Sequence, residues 1–280
     1  MKACLQKILP QHFISTMLGK LANARMGKIT QFAIKKFIKC YQVNMIEAKI
    51  ENAHDFQTFN AFFTRALKDN ARPICHDKNI LISPVDGRIS EIGLIQKNKL
   101  LQAKNNFFNL KDLCGGDIAL EAKFQDGNFL TAYLSPKDYH RIHMPITGKL
   151  KKMIYVPGKL FSVNPDSVEN ISNLFARNER VICIFETAIG DVALIAVGAM
   201  IVGSILMNWH GVVTSKNRDR VKQWLYSAQH IILERGDEIG HFRLGSTVII
   251  LSEKDKIAWL ENLKPGCTLT LGEKIAHHNN

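Results

Sequence analysis

The chain has 280 residues, of which 46% are hydrophobic and 22% are charged. This size and composition are ordinary for a globular protein with a full core, built as one large domain or as one domain plus a small extension, and they exclude a disordered chain. The formal net charge of +12 indicates an anionic partner: nucleic acid, acidic lipid or an acidic substrate.

The positive charge is concentrated at the N-terminus. Residues 1–46 contain no Asp or Glu but eight Lys or Arg, so eight of the twelve net charges lie in this stretch. A charge imbalance of this length is unusual for helices that only cover a core. We therefore expect residues 1–54 to form a basic segment that is distinct from the rest of the chain.

Amphipathic helices are predicted within this basic segment. Pro10 separates a short helix carrying Leu5, Ile8 and Leu9 from a second helix. The second helix has an apolar stripe at i, i+3, i+4 and i+7, and a third helix repeats the pattern beside several lysines. The stripes are Ile14, Met17, Leu18 and Leu21, and then Ile34, Phe37, Ile38 and Tyr41. Such helices lie on anionic membrane surfaces, although the stripes could instead pack on the protein's own core.

The longest apolar run, residues 192–207, is too short to cross a bilayer, which needs roughly 20 residues. Residues 181–186 precede it, with a turn at 188–191 between the two. This arrangement predicts a pair of buried strands. We therefore expect a protein that lies on the membrane and does not cross it.

The middle and C-terminal parts of the chain are predicted to be rich in β-strands. Phe56, Phe59 and Phe63 mark a helix that docks on the core, and a short helix is expected near 110–114. Gly, Pro, Asn and Asp separate the strands. The predicted strands lie near 80–83, 128–134, 150–156, 181–187, 192–206 and 246–252. The expected fold is α+β, with a sandwich-like or barrel-like catalytic domain over 55–280 after N-terminal amphipathic helices.

Two segments carry candidate acid–base residues. Asp86 lies in a Pro-Val-Asp-Gly turn between apolar strands, where an aspartate commonly only caps its own backbone. His140 and His143 lie three residues apart in a loop between Pro136 and Pro145. Such a pair could bind a metal, but no Cys or Glu stands nearby at a ligand-like spacing, so we predict no metal site. None of the six cysteines forms a C-x-x-C pair, which favours reduced thiols.

A candidate nucleophile, Ser246, stands at the start of the last predicted strand. Gly245 and Ser246 stand directly before the β-branched, apolar residues 247–251. Glycine leaves its carbonyl unshielded, and a neighbouring hydroxyl could attack that carbonyl if a base removes its proton. The common alternative is a Gly-Ser kink at the start of a strand.

The residues 244–247, Leu-Gly-Ser-Thr, resemble the LGST processing motif of phosphatidylserine decarboxylases of the bacterial and mitochondrial type. Segments around Asp86 and around His140 and His143 also look like catalytic motifs of that family. Further similarity runs through residues 58–65, 154–164, 173–181, 197–199 and 201–204. In order, the similar segments cover most of residues 55–252.

This resemblance implies specific roles. In that family the chain cuts itself between the residues that correspond to Gly245 and Ser246, and the serine becomes a covalent pyruvoyl (pyruvate-derived) group. Asp86 and His143 then correspond to the acid and the base that act on Ser246. From the chemistry of Asp-His-Ser triads we further expect Asp86 to fix the tautomer of His143. His140 is a candidate proton donor or substrate-positioning group, and Arg141 or Lys137 could meet a lipid phosphate.

The implied reaction is the pyruvoyl-dependent decarboxylation of phosphatidylserine to phosphatidylethanolamine and CO2 in phospholipid biosynthesis. The precursor would become a long chain, 1–245, and a short chain, 246–280, held together as a heterodimer; a dimer of these is left open. The basic N-terminus suits a peripheral position on the cytoplasmic side of the cell membrane, beside an anionic phospholipid substrate. We expect no nucleic-acid partner.

Two other functions remain open at this point. A serine hydrolase could use Asp86, His143 and Ser246 without self-cleavage, but the sequence lacks a G-x-S-x-G elbow, since Ser246 leads into a strand. A non-catalytic membrane-surface or nucleic-acid binding protein could use the basic N-terminus. Nucleic-acid binding is disfavoured, because the lysines lie beside apolar stripes and no aromatic side chains that could stack on bases alternate with them.

Overall fold

The computed structural model describes residues 6, 10–104, 106–200, 204–214, 220–243 and 246–279, with Ser246 described for its backbone only. The predicted short helix with Leu5, Ile8 and Leu9 therefore lies outside the described residues, as do Leu244 and Gly245. The α-helices are α1 (Gln11–Asn23), α2 (Lys28–Tyr41), α3 (Phe59–Phe63), α4 (Leu110–Leu113), α5 (Ile118–Phe124), α6 (Pro165–Asn170) and α7 (Leu174–Arg177).

Strands make up most of the regular structure after residue 79. They are β1 (Ile80–Ile82), β2 (Gly87–Leu94), β3 (Lys99–Ala103), β4 (Asn106–Asn109), β5 (Asn128–Leu134), β6 (Arg141–His143), β7 (Gly148–Val156), β8 (Arg180–Thr187), β9 (Gly190–Val197), β10 (Ile205–Met207), β11 (Gly211–Val212), β12 (Lys222–Leu225), β13 (Ile232–Leu233), β14 (Glu238–Phe242), β15 (Ser246–Ser252), β16 (Ile257–Trp259), β17 (Thr268–Leu269) and β18 (Lys274–His278).

The largest sheet is antiparallel, and β15 lies at its centre. Among the described strands its order is β12-β7-β8-β9-β15-β5-β2-β17, with β13 also paired to β7. Residues 248–251 of β15 are fully buried, because β9 and β5 flank the strand and both faces of the sheet are covered. This explains why the strand reads as a continuous apolar run without alternation.

The predicted strand pair around residue 189 is confirmed as the β8–β9 hairpin, in which Thr187 pairs with Gly190. The prediction of one strand over 192–206 is wrong in its second half. β9 ends at Val197, and β10 belongs to a different sheet. At Gly198 the chain contacts the carbonyl of Glu179, which accepts a 2.8 Å hydrogen bond from the Gly198 N–H. A Cβ there would lie 3.2 Å from the same oxygen, so this approach favours glycine.

Three smaller sheets complete the described part of the fold. Their orders are β11-β10-β14-β6, β1-β18-β16 and β3-β4. The architecture confirms the α+β class with N-terminal helices. The large sheet has two open ends, at β12 and β17, so the described strands form no closed barrel.

The N-terminal helices differ in which side they turn to solvent. In α2, Ile34 is fully buried, and Phe37 and Ile38 pack with it in a small apolar cluster. This stripe therefore packs on the protein itself, as the alternative interpretation allowed. In α1 the buried residues include the polar Gln11 and Ser15, whereas Phe13, Met17 and Leu21 are exposed.

The helix over Phe56–Phe63 is shorter than predicted. α3 begins at Phe59, after Thr58 caps it by accepting a 3.0 Å hydrogen bond from the Ala61 N–H. Phe56 lies before the helix, in the same apolar cluster as Ile34. The short helix predicted near 110–114 is confirmed as α4. The domain boundary at residue 54 stays a prediction.

Candidate active site

Ser246 is the first residue of β15, and its backbone pairs with Leu134 at the end of β5. The next residues of the chain after β5 form a loop, 135–140. Asp138 shapes this loop, because its carboxylate accepts a 2.7 Å hydrogen bond from the Ser135 N–H. The loop ends in β6, which carries His143. The sheet register thus brings the strand that begins at Ser246 beside the segment with both candidate histidines.

His143 is held at both ring nitrogens. Its Nδ1 lies 2.7 Å from the carbonyl oxygen of Gly236, and its Nε2 lies 3.0 Å from the hydroxyl of Tyr139. A carbonyl only accepts, so Nδ1 carries the proton and Nε2 accepts from Tyr139. Burial lowers the pKa of His143, more than the Gly236 hydrogen bond raises it. The imidazole is therefore neutral near pH 7, with its basic nitrogen at Nε2.

Asp86 lies in the bend between β1 and β2, and it is 7% exposed. The bend contacts the histidine segment through its backbone, since the Pro84 carbonyl accepts a 2.9 Å hydrogen bond from the His143 N–H. The Asp86 carboxylate, however, binds the guanidinium of Arg72 and the N–H of Leu271 at 2.8 Å.

The direct Asp86–His143 hydrogen bond expected from triad chemistry is absent between these two described side chains. The reason is that the carboxylate is occupied by Arg72 and Leu271, while Nδ1 of His143 is occupied by Gly236. The Gly236 carbonyl therefore fixes the tautomer. Negative charge at a distance still favours the protonated imidazole of His143, first that of Glu238 and then, more weakly, that of Asp86.

His140 lies deeper than His143, at 1% exposure. Its ring stacks on Phe63 with 4.0 Å between centroids. Burial, followed by the positive charge of Arg65, lowers the pKa of His140 to about 3. Neither ring nitrogen makes a hydrogen bond of ordinary length and angle within the described residues, although the Pro136 and Ser135 backbones lie near enough to oppose this lowering of the pKa. A neutral imidazole can donate one hydrogen bond through its ring N–H, and at neutral pH it is not the imidazolium form that serves as a general acid.

The two basic residues suggested for a lipid phosphate have different environments. Arg141 is committed within the protein, because its guanidinium donates to the Thr64 carbonyl and to Glu238 at 2.8 Å. Lys137 is exposed and lines a cavity. Lys137 is therefore the better placed of the two for an external anion.

Two cavities adjoin these elements. One, of about 240 Å³, is lined by Asp86, Arg72, Tyr139 and Lys137, among others. A second, of about 320 Å³, is lined by Tyr133 and Arg88 with several apolar side chains. Tyr133 is the register partner of Thr247, so this cavity lies beside the start of β15.

The described residues contain no group of three or more His, Cys, Asp or Glu side chains that could hold a metal ion.

Sequence reasoning missed three residues that hold the candidate groups. Arg72 binds Asp86, Gly236 fixes His143, and Tyr139 occupies its basic nitrogen. Tyr139 had a signal, since it lies within the motif that carries both histidines. Arg72 stands 14 residues before Asp86, Gly236 stands 93 residues after His143, and neither lies in a recognisable pattern.

Comparison with known proteins identifies the family. The family model described as phosphatidylserine decarboxylase matches residues 59–277, and one described as PSD matches residues 1–42. A phosphatidylserine decarboxylase proenzyme from Psychromonas ingrahamii is 51% identical over 97% of this chain and 95% of its own length. Proteins with the same description from Vibrio campbellii (49% identity) and Shewanella denitrificans (48% identity) each align over 99% of this chain and 98% of their own length.

The chain therefore belongs to the phosphatidylserine decarboxylase family. The family and the enzyme class expected from the sequence are thereby confirmed. Among the helices that the structure describes, none combines the length and the apolar character needed to span a bilayer.

Proposed function

We propose that the chain is a proenzyme that cuts itself between Gly245 and Ser246 and then decarboxylates phosphatidylserine to phosphatidylethanolamine. The observation that carries this proposal is the register of the central sheet. Ser246 begins β15 opposite Leu134, and the loop after Leu134 carries His140 and leads to His143. The relatives described as phosphatidylserine decarboxylase proenzymes support the same reaction.

The first step is self-cleavage. The Ser246 hydroxyl attacks the Gly245 carbonyl, and its proton passes to Nε2 of His143, the nitrogen that the Gly236 hydrogen bond leaves basic. Tyr139 donates to that nitrogen, so its hydrogen bond must exchange as the proton arrives. The C–N bond breaks as the Ser246 nitrogen takes up a proton, which leaves an ester. β-Elimination then expels the Gly245 carboxylate, which ends the long chain, and leaves a dehydroalanine at residue 246. Its hydrolysis releases ammonia and leaves a pyruvoyl group at residue 246.

The site fits such a group. The two ring nitrogens of His140 and the hydroxyl of Thr247 are buried and make no hydrogen bond of ordinary geometry within the described residues, so they can serve a polar ligand. A pyruvoyl group supplies a carbonyl that takes up the electron pair released when CO2 leaves. In this proposal neutral His140 orients the substrate through its single ring N–H.

The cut would leave the two chains associated. The short chain contributes β15, which has β5 on one side and β9 on the other. It also contributes β16, β17 and β18. Strand β17 pairs with β2, and β18 pairs with β1. These backbone ladders and the burial of β15 support a stable heterodimer of long and short chains.

The exposed side of the N-terminal helices supports docking on an anionic membrane. Phe13 is 66% exposed in α1 and Phe32 is 69% exposed in α2. The exposed lysines of α2 accompany this apolar surface. Phenylalanines inserted at the interface and lysines near acidic headgroups would hold the enzyme on the cytoplasmic face of the cell membrane, where its substrate lies.

The experiment is release of CO2 from vesicles containing phosphatidylserine. The purified chain is expected to release CO2 and form phosphatidylethanolamine, and treatment with a carbonyl reagent should abolish the reaction. The matched control is Ser246→Ala, which should release none. Full activity after carbonyl blocking would refute the pyruvoyl proposal. Ester hydrolysis by an uncut chain would favour the serine hydrolase instead.

A further inference from the structure

Asp86 is held mainly by one arginine. Arg72 places Nε at 2.9 Å from Oδ1 and 3.0 Å from Oδ2 of Asp86, and its Nη2 lies 2.6 Å from Oδ2. Both carboxylate oxygens are therefore engaged by one guanidinium. This is the planar, two-pronged pairing that arginine makes and lysine cannot.

Arg72 is itself fixed on its other sides. Its Nη2 also donates to Glu47 at 2.8 Å, and Nη1 donates to the Ala71 carbonyl at 2.8 Å. The hydrogen bond with Asp86 raises the pKa of Arg72 above its ordinary value. The guanidinium is thus permanently charged and anchored between two carboxylates.

We propose that Arg72 is a positioning residue for the self-cleavage, acting through Asp86; this inference rests on the proposed function. Arg72 holds the Asp86 carboxylate beside the His143 segment, where its charge stabilises the imidazolium formed when Nε2 takes the Ser246 proton. Asp86 does this without a hydrogen bond to the ring, because Gly236 already orients His143.

The only other partner of the Asp86 side chain, within the residues described, is the Leu271 N–H. Without Arg72, a carboxylate that is 7% exposed would keep this one hydrogen bond and lose its compensating charge. A buried carboxylate in that state either moves toward water or takes up a proton. Both changes remove its negative charge from the His143 segment.

The test follows conversion of newly synthesised precursor in a cell-free reaction. Arg72→Ala is expected to slow cleavage by about ten-fold or more, which equals about 1.4 kcal/mol of activation free energy. Added guanidinium ion should restore the rate in proportion to its concentration, because the truncated side chain lines the 240 Å³ cavity beside Asp86. It should not restore Asp86→Asn, whose carboxylate is gone.

The matched control is Lys68→Ala. Lys68 lies four residues before Arg72 in an exposed ion pair with Glu51, and its loss should leave the cleavage rate unchanged. If Arg72→Ala does not fold, Arg72→Lys decides, because lysine keeps the charge but cannot engage both oxygens at once. Slower cleavage of Arg72→Lys then supports the proposal, and cleavage at the wild-type rate overturns it.

The outcomes separate this inference from the proposed function. Wild-type chain that never cleaves would remove the proposed function itself. Cleaving wild type with an equally fast Arg72→Ala variant would overturn only the role of Arg72. A slow but folded Arg72→Ala variant that does not respond to guanidinium would also overturn it, since the loss would then be a general structural effect.

Discussion

His140 should make the protein sensitive to mild acid. Its pKa is lowered from the ordinary 6.5 to about 3, mainly by burial. The unfolded state therefore binds a proton at His140 more tightly than the folded state does. His140 leaves the free energy of unfolding unchanged well above pH 6.5 and lowers it as the pH falls from 6.5 toward 3. Between about pH 7 and about pH 5 the folded state should lose about 2 kcal/mol of stability through this residue.

The assay is urea unfolding at the two pH values in the Ser246→Ala background, which keeps a single chain so that unfolding is unimolecular. His140→Phe retains an aromatic ring against Phe63, and His140→Asn retains a polar group. Neither replacement titrates in this range, so both variants should lack the 2 kcal/mol loss whatever their stability at neutral pH. If the parent and both variants lose the same stability between the two pH values, the buried, neutral state of His140 is wrong.

Three further predictions concern the site and the membrane surface. His143→Gln should slow precursor conversion by about 100-fold or more, because a general base contributes at least that much; conversion at the wild-type rate would remove His143 from this role. Gly236→Ala should lower the unfolding free energy by about 1–3 kcal/mol and slow cleavage, since φ is +88° and a Cβ would lie 3.1 Å from Ile74; unfolding curves and gels measure both. Phe13→Ser with Phe32→Ser should weaken binding to anionic vesicles by about ten-fold or more for each side chain, measured by cosedimentation, and unchanged binding would place the contact elsewhere.

The strands of the large sheet could be predicted because their patterns are strong and local. The β8–β9 hairpin and β15 are apolar, β-branched runs with a clear turn signal or a clear start. The break after Val197 could not be predicted, because the apolar run of the sequence continues past it. Hydropathy alone does not show where the strand ends, so the predicted strand extends past this break.

The helices show a second limit of sequence patterns. The periodicity of α1 and α2 indicates apolar stripes but not what covers them. In α2 the stripe packs around Ile34. In α1 the polar Gln11 faces inward, because its side chain accepts a 2.7 Å hydrogen bond from the Leu160 N–H. That contact, 149 residues away, turns Phe13 toward solvent.

At the site, the motifs located Asp86, His140 and His143, but not their partners. Hydrogen-bond partners such as Gly236 and Arg72 are chosen by the fold and have no local signature. Triad chemistry therefore expected the wrong partner for Nδ1 of His143. The roles of these three residues stay predictions, and the hydrogen-bond network that sets their protonation could not be predicted from the sequence.

The most direct test of the account is the intact mass of the purified protein under denaturing conditions. Two chains are expected, of residues 1–245 and 246–280, with a ketone in place of the amino group at residue 246. Ser246→Ala should remain a single chain of 31.6 kDa. A wild-type preparation that decarboxylates phosphatidylserine as one uncut 31.6 kDa chain would contradict the account.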